Sequence, residues 1–258
     1  MESATAWQLL PVTVNEETIP TRHGSIRVRL YVPEGGTDRS VVLTPGVHAA
    51  GADELRLVGL ARNLAAHGFG VVSLDLPDLR AYEITDRTTD MIEDAGRWAA
   101  SQPALAPDRK IGLMGISFGG GLSVVAAGRS ALTERPAFAL SFGGHGDFPR
   151  VLRYLCSGRL PDGQVMPPHD YGVVIALYGT AHRVVPPEQV EPLRHAIRIF
   201  LNASHLDMVD KPRALKEFQR ARHRGGAPGA NGATHACSQR ARRRDPRTAA
   251  SPAPRQLR

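Results

Sequence analysis

The sequence predicts an α/β protein: a mostly parallel sheet of about six strands with helices on both faces. Three observations carry that expectation. Apolar runs at 40–45, 70–77, 110–117 and 137–143 are short and nearly uninterrupted, as strands buried on both faces must be. Stretches with helical apolar spacing, 53–67, 88–101 and 119–132, fall between them, and alternating strands and helices imply parallel pairing through right-handed crossovers. The chain of 258 residues is 42% hydrophobic and 22% charged, a globular composition that can bury one large core or two small ones.

Taken in order, residues 11–19 and 25–32 alternate apolar and polar around "TRHGS", which predicts an antiparallel hairpin leading the fold. "SVVLTP" is the first buried strand. In "DELRLVGLARNLAAH" Asp53 is placed to cap a helix and His67-Gly68 to close it. "GVVSLDLP" is the next strand, and Asp75 and Asp78 after it sit in a turn-forming context that suits turn or cap roles. A helix over 88–101, a strand over 110–117, a helix over 119–132 and a strand over 137–143 follow. Beyond them, 171–181 and 187–203 carry apolar residues at helical spacing, such as Val190, Leu193, Ile197 and Leu201, and 206–221 is a further candidate helix. The expected organisation is a core over 1–148, a helical cap-like region over 149–221 and a tail over 222–258.

One motif carries chemistry. Gly115-Ile116-Ser117-Phe118-Gly119 puts a serine between glycines where an apolar run of strand length gives way to a stretch rich in Gly, Ala and Val. With 26 glycines in the chain the pattern alone is weak; its context is strand, tight turn, helix. Such a turn strains the serine backbone and lifts its hydroxyl clear of the sheet edge. The next residue's N–H and the helix N-terminus then face developing negative charge.

The element order with a serine elbow on the fifth strand resembles the α/β-hydrolase fold over residues 11–148, its first six strands. Through "VVLTPGVHAAG", "HGFGVVSLDLPD" and "GISFGG" the chain is similar to dienelactone hydrolase-like and small esterase-like members. The resemblance implies acyl transfer from a small ester to water, with Ser117 as nucleophile and the N–H groups of Val47 and Phe118 as oxyanion donors. Pro45-Gly46 stands where the family usually has His-Gly. No metal or organic cofactor is implied.

In that family the triad runs Ser, acid, His, with the acid after the seventh strand and the histidine after the eighth. Downstream of Ser117 this chain shows helical patterns instead, so the fold is expected to be incomplete. Asp147, directly after the sixth strand, is the candidate acid. His145 on the same loop and His205 are candidate bases, although "SHLD" over 204–207 has the form of a capping box. His48 beside the oxyanion loop is expected to orient that loop. His169, His182 and His195 read as surface or packing residues, and His223 and His235 fall in the tail.

The net charge of +7 resides in the tail: residues 222–258 hold nine arginines and one acid, Asp245. With Leu257 as its only large aliphatic residue, that segment cannot offset its ordering entropy and is expected to be disordered. "RARRR" at 240–244 is the one feature suited to nucleic acid. Arg, Ala, Pro and Gly are also what GC-rich codons yield out of frame. Residues after about Ala221 are therefore expected to be a shifted or truncated reading of a longer hydrolase, with its acid and histidine lost. Two cysteines, Cys156 and Cys237, and no targeting pattern make a reducing cytoplasm the default. No run approaches the roughly 18 apolar residues of a membrane span. An uncovered sheet edge would favour self-association.

Overall fold

The computed structural model describes residues 9–168, 170–209, 212, 213 and 216. The chain divides into two compact units, residues 1–197 and 198–258. The sheet and the candidate site belong to the first.

Strands β1 (Val12–Thr21) and β2 (Gly24–Pro33) form the expected hairpin, paired antiparallel from Val12 with Pro33 to Thr21 with Gly24. Gly24 turns the chain at φ 102°, a conformation that costs glycine little. Strands β3 (Ser40–Thr44), β4 (Gly70–Leu74), β5 (Ile111–Ile116) and β6 (Pro136–Phe142) complete one six-stranded sheet in the order β1-β2-β4-β3-β5-β6. β2 meets β4 antiparallel, and β4, β3, β5 and β6 pair in parallel. Every residue of β3 and β4 is buried, which is why these strands read as continuous apolar runs rather than alternating ones.

Helices cover both faces. Helix α1 (Leu55–Ala66) presents Leu57, Ala61 and Ala65, four residues apart, to a core of Tyr31, Val41, Leu43, Val71 and Met114. Because successive strand residues point to opposite faces, Val42 and Thr44 look the other way. There Ser123 of α4 (Phe118–Ala127) donates its hydroxyl to Thr44 Oγ1 at 2.9 Å. Helix α3 (Asp86–Ser101), capped by Thr85, buries Met91, Ile92, Ala95 and Ala99. A Cβ at Gly96 of α3 would stand 3.2 Å from Leu132, so the missing side chain lets the two approach. Helices α2 (Pro77–Arg80), α5 (Phe148–Ser157), α6 (Asp170–Thr180) and α7 (Pro187–Val209) complete the described elements.

Three local expectations need correction. Glu54, not Asp53, caps α1, accepting the Leu57 N–H at 2.9 Å. Asp53 lies one residue earlier in a 3-10 turn, where its carboxylate meets Arg27 and Arg29 of β2, each at 2.6 Å. Those charge-assisted contacts are stronger than a single cap bond. The segment over 119–132 is not one helix: α4 ends at Ala127 and a separate 3-10 turn covers Ser130–Leu132, the break falling at Gly128. Finally, residues 204–207 do not start a helix, because they lie inside α7. A serine cap gains about 1 kcal/mol; breaking a helix there would give up several backbone hydrogen bonds and require a new nucleus.

Candidate active site

The site is built where β5 ends. Ser117 sits between β5 and α4 at φ 54° and ψ −128°, a strained conformation for a residue bearing a Cβ. Two bonds hold it there: its N–H donates to Phe142 O of β6 at 2.8 Å, and its carbonyl accepts from Gly120 at 2.9 Å. The bend needs glycine at two points of close approach. A Cβ on Gly115 would collide with the Gly119 carbonyl, and one on Gly119 would collide with the Pro45 carbonyl. With both absent, the serine side chain stands exposed at the C-terminal edge of the parallel strands.

The second wall is the loop after β3. A Cβ on Gly46 would lie 3.6 Å from the Ser117 Cβ, so residues 45–47 run directly beside the serine. Among the described residues, the turn and cap hydrogen bonds include none donated by the N–H of Val47 or of Phe118. The carbonyl of Val47 is taken, accepting from the Tyr171 hydroxyl of α6 at 2.9 Å. His48 fixes the loop from within. Its N–H donates to Leu79 O at 3.1 Å and its Nδ1 accepts from the Ala50 N–H at 3.0 Å. Asp75 is buried, with Arg27 at 3.0 Å and Arg80 at 3.1 Å on its Oδ2. Asp78 accepts from the Thr85 hydroxyl ahead of α3.

His145 packs against the start of α4, the helix that Ser117 precedes. Its carbonyl crosses the first turn of α4, where a Cβ on Gly121 would strike it. Its ring meets Phe118 edge to face at 5.1 Å and stacks on Phe148 at 5.5 Å. Burial among these rings pushes its pKa below the usual histidine value, because desolvation disfavours the imidazolium. Its Nε2 is buried without a hydrogen-bond partner among the described residues. Asp147 is turned to the next helix: it caps α5 through the Arg150 N–H at 2.9 Å and faces the Arg150 guanidinium at 3.4 Å. No histidine or carboxylate among the described residues hydrogen-bonds to Ser117 Oγ.

His205 lies on α7, and its side chain is outside the described residues. His182 and His195 are exposed, on a 3-10 turn and on α7 respectively. His169, His223, His235 and the "RARRR" segment lie outside the described residues. Among the described residues there is no group of three or more His, Cys, Asp or Glu placed to hold a metal ion, and no helix long and apolar enough to cross a membrane.

Sequence reasoning missed a tyrosine cluster beside the loop after β3. Tyr82, at the unusual φ of 63°, meets Tyr178 of α6 edge to face at 6.5 Å, while Tyr171 reaches Val47. Burial pushes the Tyr82 phenol up to about 12, and the Tyr171 phenol is raised as well. The available signal was the pair of tyrosines seven residues apart, two helical turns, in "YGVVIALY".

The strand order, the antiparallel entry and a strained serine between the fifth strand and its helix define an α/β-hydrolase fold. No family model matches the sequence, and no curated protein matches it. Among solved structures the chain is similar to a hyperthermophilic esterase from the archaeon Pyrobaculum calidifontis, at 29% identity over 46% of this chain and 40% of that one, with a TM-score of 0.39. It is similar also to the dienelactone hydrolase of Anabaena variabilis, at 22% identity over 55% of this chain and 69% of that one, TM-score 0.44. A third is brefeldin A esterase, a bacterial homologue of human hormone-sensitive lipase, at 20% identity over 80% and 60% of the two chains, TM-score 0.49. The chain thus spans 40% of the length of the Pyrobaculum esterase.

Proposed function

We propose that this chain is a serine hydrolase of the α/β-hydrolase type acting on small carboxylic esters, with low intrinsic activity. The observation that carries the proposal is the Ser117 backbone: strain of that kind is retained where it serves function, and here it exposes a hydroxyl beside the loop over residues 45–47. Ser117 attacks the ester carbonyl, and Val47 and Phe118 N–H groups hold the oxyanion, each contributing about 3 kcal/mol to the transition state. Low activity is expected because no histidine or carboxylate among the described residues hydrogen-bonds to Ser117 Oγ. His145, kept neutral by burial, is the base in this reading, and Asp147 is the acid only if it leaves its cap.

Residues 1–148 form the catalytic core in this proposal and 149–221 its cap, a role supported by Tyr171 of α6, which reaches the Val47 carbonyl. The exposed, unpaired Cys156 suits a reducing cytoplasm. The open edge at β6 suits self-association.

Labelling of the full chain by an active-serine phosphonate tests the reading. Slow modification of Ser117, absent from Ser117→Ala, is the expected result. Failure to label favours the second reading, a hydrolase-like fold without catalysis.

A further inference from the structure

A cavity of about 580 Å³ opens beside α3 and is lined by Arg22, Arg97, Arg109, Arg135, Trp98 and Asp94. It lies at the opposite end of the sheet from Ser117. Arg109 and Arg135 stand just ahead of β5 and β6, whose first residues Ile111 and Pro136 are register partners. Ser117 follows the far end of β5, about 20 Å away at 3.3 Å per strand residue.

The four arginines are not equivalent. Arg22 is committed to carboxylates of α3, at 2.6 Å from Asp94, 3.2 Å from Glu93 and 3.6 Å from Asp90. Arg97 shares Asp94 at 3.8 Å. Arg109 and Arg135 enter no ion pair among the described residues, although Asp108 and Glu134 precede them in the chain. Asp108 is engaged locally, accepting the Lys110 N–H at 2.9 Å.

The backbone fixes these two arginines together. Arg109 adopts φ 62°, a left-handed conformation that an arginine occupies only under constraint, and its N–H closes a turn onto Ala106 O at 2.9 Å. The Arg135 carbonyl accepts the Ile111 N–H at 3.0 Å, and the Arg135 N–H donates to Leu132 O at 2.8 Å. Two guanidiniums on adjoining strand entries line one cavity with no ion-pair partner among the described residues, a lining suited to a multivalent oxyanion. The volume falls in the range of sites for small organic ligands, far larger than a bare anion needs, and the half-buried Trp98 offers a flat face to a ring.

We propose that this cavity binds a phosphate monoester carrying a planar ring, with Arg109 and Arg135 on the phosphate and Trp98 against the ring. The site is separate from the Ser117 site and independent of whether that site is catalytic.

Titration of the full-length Trp7→Phe chain at low salt, reading Trp98 fluorescence, tests it with three probes: AMP, adenosine and inorganic phosphate. AMP is expected to give a saturable change. Inorganic phosphate should bind about threefold weaker or worse, and adenosine at least about tenfold weaker. Arg109→Gln/Arg135→Gln should weaken AMP by at least about tenfold. Should the double variant fail to fold, Arg109→Gln alone, on an exposed turn, should still weaken AMP about threefold. No saturable change, equal affinity for AMP and phosphate, or unaltered AMP affinity in the folded arginine variants would overturn the proposal.

Discussion

Tyr171 of α6 donates its hydroxyl to the carbonyl of Val47 at 2.9 Å, tying the helical segment after the sheet to the loop beside Ser117. The bond fixes the Val47 carbonyl, and with it the direction in which the loop backbone runs past the serine. Tyr171→Phe keeps the ring and removes the bond. A half-buried neutral hydrogen bond contributes about 1 kcal/mol, so the variant is expected to melt about 2–4 °C lower. Phosphonate labelling of Ser117 should slow with it. An unchanged melting temperature together with an unchanged labelling rate would separate α6 from the site.

What could be read from the residues alone was set by how local each cause is. β3, β4 and β5 were legible because burial on both faces leaves their sequence almost no polar choice, and the elbow because Gly115 and Gly119 each avoid a specific collision. The cap of α1 was not legible: Asp53 and Glu54 are both adequate caps, and the choice is made by Arg27 and Arg29, distant in sequence. The same holds for Tyr171, whose partner lies 124 residues away. Asp147 shows the limit for site residues, since one carboxylate after a strand suits a triad acid or a cap, and the structure gives it the Arg150 N–H.

His145 makes stability depend on pH in a defined direction. Burial holds its folded pKa below 6.5, so the unfolded chain binds the proton more readily. The stability contributed by the neutral ring is present above the unfolded value near 6.5 and is lost as pH falls from there towards the lower folded value. Urea midpoints measured across that window should drop more steeply for the wild-type chain than for His145→Phe, which keeps a ring against Phe118 and Phe148. Parallel pH profiles for the two proteins would show that His145 titrates normally.

The outer strand predicts behaviour in solution. Phe138, Leu140 and Phe142 of β6 are 41%, 46% and 66% exposed, alternate residues that share one face of an edge strand. The strand itself, "PAFALSF", carries no charge. Apolar edges of this kind recruit other strands, and a lysine on the exposed face discourages pairing. Sedimentation should show self-association that rises with concentration, accompanied by binding of a dye for exposed apolar surface. Both should fall in Leu140→Lys or Phe142→Lys. A monomer at all concentrations with no dye binding would overturn this expectation.

Catalysis is the sharpest test of the proposed role of Ser117, because no histidine among the described residues hydrogen-bonds to its Oγ. An oxyanion hole and binding alone leave roughly 10³- to 10⁴-fold acceleration over water. In the proposed site that residue of activity is assigned to the Val47 and Phe118 N–H groups, which Ser117→Ala leaves in place. Hydrolysis of activated aryl esters should therefore be slow, and Ser117→Ala should lower it to what the oxyanion donors and binding alone support. Turnover at about 1 s⁻¹ or faster, abolished by Ser117→Ala, would instead show a complete relay within this chain. Single His145→Ala, His205→Ala and Asp147→Asn changes would then locate it. For His145 to be the base, its buried Nε2 must turn from Phe148 towards the serine, and Asp147 must give up the Arg150 N–H to become its acid. A His145→Ala variant that loses all turnover while keeping its melting temperature would establish that movement. One that keeps turnover would place the base on α7 or beyond the described residues.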